Sequence, residues 1–262
     1  MAFRRKSSGA RSGTARRSGT ASGRGSQGTR LEIAKVIAGA LAVFLLIRIF
    51  LLEAYRIPSG SMIPTLLVGD WLFVNKLAYG PHVPGTRLNL PGYDQPKRGD
   101  VVVFISPPQR DQPTDSVPTL VKRCVAVPGD TIFMKHGMLH VNGIEQRQGF
   151  AASQNLTADG SKTDDGFRWQ KPFELKTSRF GPPAAVPTLD NWGPLIVPTD
   201  HLFMLGDNRY DSKDGRYWGF VPRRNVRGRP WFVYYSYRAD DSDRPLPFLT
   251  DIRWGRIGTR IK

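Results

Sequence analysis

Apolar and polar positions follow two regimes along this chain. Residues 36–47 are an unbroken apolar run, Val-Ile-Ala-Gly-Ala-Leu-Ala-Val-Phe-Leu-Leu-Ile. Arg48 interrupts it, and Ile49-Phe50-Leu51-Leu52 resumes. Counted over 33–52, the segment has about the ~20 residues that span a bilayer, and it presents no polar face. From Gly69 onward the pattern becomes short, aromatic and β-branched, which predicts strands over 71–74, 101–105, 120–127, 201–205 and 231–235. Residues 131–134 and 138–141 predict a hairpin around Lys135-His136-Gly137, with Asn142-Gly143 as the next turn. Residues 80–98, with Pro81, Pro84, Pro91 and Pro96, predict a loop. Residues 145–190 are polar, weakly patterned and rich in turn residues.

These patterns predict a basic tail over 1–30 and a transmembrane helix over 31–54. A main β domain is expected from 55–132 and 201–262, with an inserted subdomain at 133–200. The 262 residues, 40% hydrophobic with 21 prolines and 27 glycines, favour many turns and short strands over a helical bundle.

The net charge of +16 is unevenly placed. Residues 1–30 carry Arg4, Arg5, Lys6, Arg11, Arg16, Arg17, Arg24 and Arg30 and no acidic residue. With Ser, Gly and Thr between them they predict disorder. Beside an apolar span they predict a cytoplasmic N-terminus and a remainder outside. Arg48 is close enough to the far end to snorkel. A cleavable signal peptide shares this pattern, but Leu52-Glu53-Ala54-Tyr55 has no Ala-x-Ala exit. A membrane-tethered nucleic-acid binder is the alternative from another class, and deleting 1–30 separates it from an enzyme. Cys124 is the only cysteine, which leaves no intramolecular disulfide and predicts a small buried apolar side chain.

Candidate chemistry centres on Pro58-Ser59-Gly60-Ser61-Met62-Ile63-Pro64-Thr65-Leu66. Two prolines stiffen the flanks of a serine placed beside a glycine, which suits a nucleophile; a linking turn is the plainer reading. Ser61 needs a base. None of His82, His136, His140 and His201 lies in a recognised triad motif, although triad partners can be far apart in sequence. A lysine kept neutral by burial is the other activator. Lys122, among Leu120, Val121, Cys124 and Val125, meets that demand, and Lys76 is a second candidate. Strand alternation puts Lys122, Cys124 and Ala126 on one face and Val121, Arg123 and Val125 on the other. No Ser-x-x-Lys, His-Glu-x-x-His or Cys-x-x-Cys occurs, so no metal or cofactor is implied.

In these residues the chain resembles bacterial signal peptidase I, a membrane-bound Ser/Lys endopeptidase. The matching blocks are Ile47-Arg48-Ile49-Phe50-Leu51; Pro58 through Leu66; Gly69-Asp70 with Val74-Asn75-Lys76; Arg98-Gly99-Asp100-Val101-Val102-Val103-Phe104; Lys122-Arg123 with Pro128-Gly129-Asp130; and Gly206-Asp207-Asn208-Arg209 to Arg216-Tyr217-Trp218-Gly219-Phe220-Val221-Pro222. The resemblance implies a mainly β fold: a twisted, partly closed barrel with a smaller inserted β subdomain after one N-terminal transmembrane helix. It implies Ser61 as nucleophile, Lys122 as general base, and the Ser61 N–H with the Ser59 hydroxyl as oxyanion hole. Ser212 would orient Lys122, and Asp214 with Arg216 would brace that loop. Ile57, Pro58, Met62, Leu66, Leu120 and Val121 would line pockets for small side chains. Tyr210 and Gly215 stand where the family's pattern has Asp and Ser. The implied substrates are signal peptides of exported preproteins cut after Ala-x-Ala-type sites, at the cytoplasmic membrane and on its outer side, with no cofactor and no nucleic acid. A pilin-processing or a self-cleaving repressor peptidase could share such a site; the spanning segment speaks against the repressor. The aromatic stretch 231–237 is expected either to touch the membrane surface or to be an ordinary core strand.

Overall fold

The computed structural model describes residues 24–83, 85–86, 88–109, 117–146, 165–209 and 211–262. The expected disorder of residues 1–23, the position of Tyr210 and residues 147–164 of the polar stretch 145–190 lie outside them. The chain divides into two compact units, Met1–Leu45 and Leu46–Lys262.

Helix α1 (Arg24–Leu46) continues into a π-helical turn, Ile47–Leu51. Residues 24–30, expected in the tail, are therefore helical: no proline stops the helix there, and extending it is easy once it is nucleated. The stretch Arg30–Leu51 is long and apolar enough to cross a membrane, the one such helix among the described residues. The expected span over 31–54 runs three residues too far. Leu52–Arg56 is strand β1, paired residue by residue with β2 from Leu52↔Asn75 to Arg56↔Trp71. Sheet pairing satisfies these backbone groups, and the Glu53 carboxylate finds an ammonium partner, Lys76, at 2.7 Å.

The second unit is mainly β. Strands β2 (Asp70–Asn75), β3 (Val101–Ile105), β4 (Thr119–Ala126), β9 (His201–Leu205), β10 (Val221–Pro222) and β11 (Val226–Ser236) join β1 in a seven-stranded antiparallel sheet, in the order β1-β2-β11-β3-β4-β9-β10. Strand β11 is longer than the expected 231–235. It pairs with β3 through Val226 and Gly228, then with β2 from Arg229 to Ser236. Register shifts interrupt both ladders. Such bulges bend a sheet, and the β1 end curls round until Tyr55, Arg56 and Ile57 face Thr119–Lys122 across one cleft. Inside the curl Ile57, Met62, Leu66, Leu72, Val74, Val101, Val103 and Val233 form a dry core.

The second sheet, β7-β6-β5-β8, uses β5 (Thr131–Lys135), β6 (Met138–Val141), β7 (Ile144–Glu145) and β8 (Trp192–Ile196). The expected hairpin is present, with Lys135↔Met138 closing it. His136 (φ 51°) and Gly137 (φ 74°) make the tight turn, the left-handed pair that a two-residue hairpin requires. Strand β8 was not expected, because Gly193 and Pro194 mask its pattern. Four of its five residues are nevertheless buried, and the glycine backs onto Ile132 where a Cβ would meet its carbonyl oxygen at 2.8 Å.

Candidate active site

Ser61 sits in a 3-10 turn, Gly60–Met62, entered from extended Ser59. The turn is pinned from below by Met62, 2% exposed, and by Ile57 and Leu66 in the same core. It is gripped from the side by the loop after β9. The Asn208 backbone N–H donates to the Ser61 carbonyl at 3.1 Å, and the Asn208 side-chain amide donates to the Gly60 carbonyl at 3.3 Å. Gly206 makes that approach possible. A Cβ there would lie 2.1 Å from Ser212 Oγ and 2.5 Å from the Ser61 carbonyl oxygen, so any side chain would force the loop off the turn.

Lys122 comes from the middle of β4, opposite Val102 of β3. Its side chain is 4% exposed. The amine meets the Ser61 hydroxyl in a hydrogen bond across 61 positions of sequence. Burial pulls its pKa down from 10.5 to about 8, against the pull of Asp214 and Asp207. Among the described residues no carboxylate forms an ion pair with it. An amine so placed is neutral for an appreciable part of the time near pH 7, and in that form it accepts a proton. Leu120 and Cys124 pack on the Val102 side and Val121 packs into the core of the curl, as alternation predicts, whereas Val125 and Ala126, expected on opposite faces, share one core because a register shift falls between Cys124 and Ala126. Cys124 is fully buried, and burial pushes its thiol up to about 12.

The brace around the site is charged and dry. Arg216 Nε donates to Asp214 Oδ1 at 2.8 Å and Nη2 donates to Oδ2 at 2.9 Å. Asp214 also accepts from the Gly206 N–H at 3.0 Å and caps α2 (Gly215–Trp218). Burial works to raise the Asp214 pKa, but Arg216 and the backbone N–H groups hold it below the usual carboxylate range. A second bidentate pair lies on the far face of β4: Arg123 donates to Asp207 through Nε and Nη2, both at 2.7 Å. Asp207 also accepts from the Thr65 hydroxyl at 2.5 Å. This pair was not expected from the sequence, although Arg123 next to Lys122 on an otherwise apolar strand, and Asp207 after Gly206, were visible signals.

Two expectations change. Leu66 does not line the cleft; it is fully buried in the core beneath, because the turn after Ser61 carries it inward. Ile57, Pro58, Met62, Leu120 and Val121 do line it, joined by Ser59, Tyr55, Arg56 and Thr119. Ser212 is 7% exposed, but its hydroxyl has no hydrogen-bond partner. It lies against Gly206 and does not bond to Lys122. The rival bases are placed elsewhere. Lys76 is bound to Glu53. His82 meets Asn89, His140 meets the Met138 carbonyl and His201 the Thr199 carbonyl, while His136 is in the hairpin turn.

The family model described as "Signal peptidase, peptidase S26" matches residues 30–235. Signal peptidase I of Pseudomonas aeruginosa is 33% identical over 247 residues, covering 87% of this chain and 78% of the relative. Signal peptidase I of Aquifex aeolicus is 32% identical over 263 residues, covering 88% of this chain and 95% of the relative. Among solved structures, a signal peptidase I from Enterococcus faecalis V583 covers 52% of this chain and 97% of its own, at 27% identity. Its TM-score is 0.31, too low to speak to the fold.

Proposed function

The chain belongs to the signal peptidase family, peptidase S26, and from that premise we propose that it is a membrane-anchored Ser/Lys endopeptidase that removes signal peptides from exported preproteins after small residues. The observation that carries the reading is the buried, unpaired Lys122 amine against the Ser61 hydroxyl, on the wall of a cleft.

The cleft suits an extended chain. Strand β1 is the sheet's edge, and β4 meets β9 only from Arg123 onward, so Thr119–Lys122 has a free side. A substrate strand laid between them would pair its backbone with both and close the curl. Walls from Ile57, Met62, Leu120 and Val121 are apolar and shallow, which favours alanine-sized side chains near the cut.

Neutral Lys122 takes the Ser61 proton as Oγ attacks the scissile carbonyl. The oxyanion rests on the Ser61 N–H and the Ser59 hydroxyl. Ser61 is at the start of its turn, where the N–H has no carbonyl within the turn to meet. Protonated Lys122 then gives its proton to the leaving amine. The mature N-terminus has then left as that amine, and water, deprotonated by Lys122, attacks the acyl-enzyme, frees Ser61 and releases the signal peptide with a new C-terminal carboxylate. In this reading Ser212 would orient Lys122 only after a side-chain rotation when substrate docks, and Asp214 with Arg216 would keep that loop rigid. The apolar stretch Arg30–Leu51 would anchor the protein in the cytoplasmic membrane, N-terminus inside and catalytic unit outside, where substrates emerge.

The test is to incubate the purified protein in detergent with a preprotein and sequence the new N-terminus. A single cut after a small residue, lost in both Ser61→Ala and Lys122→Ala, is the expected result. Cleavage by either variant at the normal rate removes that residue from the mechanism.

A further inference from the structure

Lys76, set aside as a base, has all its donors engaged at one place. Its ammonium pairs with Glu53 at 2.7 Å, donates to the Arg48 carbonyl at 3.0 Å and to the Ile49 carbonyl at 3.2 Å. Its own backbone N–H bonds the Leu51 carbonyl at 2.9 Å. The carbonyls are the last ones of the apolar helical stretch, which at any helix end lack intrahelical donors and carry partial negative charge. Lys76 caps them, and its side chain is only 15% exposed. Glu53 is on β1, and two residues on, on the same face of that strand, is Tyr55. Tyr55 lines the cleft and packs against the core beneath Ser61. Burial and the Glu53 carboxylate beside it keep its phenol protonated well above neutral pH.

From this geometry we propose that Lys76 and Glu53 are positioning residues, a strut that ties the end of the apolar segment to the cleft wall and so selects which peptide bond of a membrane-inserted substrate is cut. The proposal rests on the signal-peptidase reading above. Neither side chain touches the reacting atoms. Their contribution is to hold Arg48, Ile49 and Tyr55 in one frame. A substrate whose own apolar segment lies in the bilayer presents its cleavage site at a set distance from it, and a loose frame would admit neighbouring bonds. A short soluble peptide carries no such reference and would not sense the loss.

Full-length protein in liposomes separates these cases, with a preprotein and a soluble peptide spanning the same cut compared side by side. Lys76→Met keeps the length and removes the charge and donors. The expected result is a preprotein kcat/KM lower by about tenfold or more, since small misplacements of reacting groups are costly, with new N-termini at two or more adjacent positions. Peptide kcat/KM should stay within about twofold of the parent. Lys76→Arg should restore much of the single cut. Glu53→Gln should reproduce the spread, guarding against a Lys76 variant that merely folds poorly. A single cut at parental rate in both variants overturns the proposal, as does an equal loss on preprotein and peptide. If the parent protein cuts neither substrate, it is the signal-peptidase reading that fails.

Discussion

Lys122 and Arg216 are both cations removed from water, 4% and 3% exposed, and their surroundings give them opposite fates. Arg216 meets Asp214 through two parallel hydrogen bonds, and it donates to the carbonyls of Arg209 and Ser212 as well. Lys122 meets a neutral hydroxyl and, among the described residues, no paired carboxylate. Burial presses on both, but the Asp214 partner raises Arg216 above its ordinary value while Lys122 falls to about 8. Burial alone therefore does not decide whether a buried cation is structural or reactive. The partner does. One pair stiffens a loop, and the amine on β4, which meets a hydroxyl, is left free to take a proton.

Changes at these two cations sharpen or break the contrast. Lys122→Met should lower preprotein cleavage by ~10⁴-fold or more, as removal of one member of a catalytic unit does; cleavage kinetics with active-enzyme titration would check it. Asp214→Asn should cost about 3–5 kcal/mol, because it leaves the Arg216 charge buried and uncompensated. Urea denaturation in detergent would measure this, and a loss under 1 kcal/mol would mean the pair is not structural.

The same Lys122→Met variant should be more stable than the parent at pH 7, by up to about 3 kcal/mol. The sign follows from protons bound. The folded chain loses the Lys122 proton near 8 and the unfolded chain near 10.5. Between those values the unfolded state holds more protons, so parental stability rises with pH across that window, and below it the full penalty of burying a charge stands. The variant's advantage should therefore shrink as denaturation is repeated from pH 8 to above 10. An advantage constant with pH would point to packing instead.

In the parent, kcat/KM should fall about tenfold per pH unit below 8 as Lys122 becomes protonated. A profile flat down to pH 5 would count against a lysine base. The smallest effect is expected at Ser212. Ser212→Ala should change stability by less than about 1 kcal/mol, since the hydroxyl has no partner to lose. If Ser212 orients Lys122 once substrate docks, the variant's kcat should drop and its pH midpoint move, with KM nearly unchanged.

Much of this was legible from residue order. An apolar run without a polar face can be satisfied only by a helix in an apolar setting, and the strand segments 101–105 and 201–205 coincide with β3 and β9 because β-branched and aromatic residues bounded by turns have few other options. The left-handed pairs His136-Gly137 and Asn142-Gly143 announced their turns. The serine beside a glycine and the lysine on an apolar strand stood out as candidates, with Lys76 as a second lysine.

Other features needed the folded chain. Residue order alone does not show where a helix yields to a strand, since the pairing partner of β1 lies at Asp70–Asn75. It could not tell that Met62 reaches the cleft while Leu66 lies only in the core they share, because the turns from Gly60 onward set their directions. Nor could it choose between Lys122 and Lys76, which are both amines among apolar neighbours. That choice belongs to tertiary structure. Protonation depends on which groups stand within a few ångströms, and the curl of the sheet gives one amine a carboxylate and the other a hydroxyl.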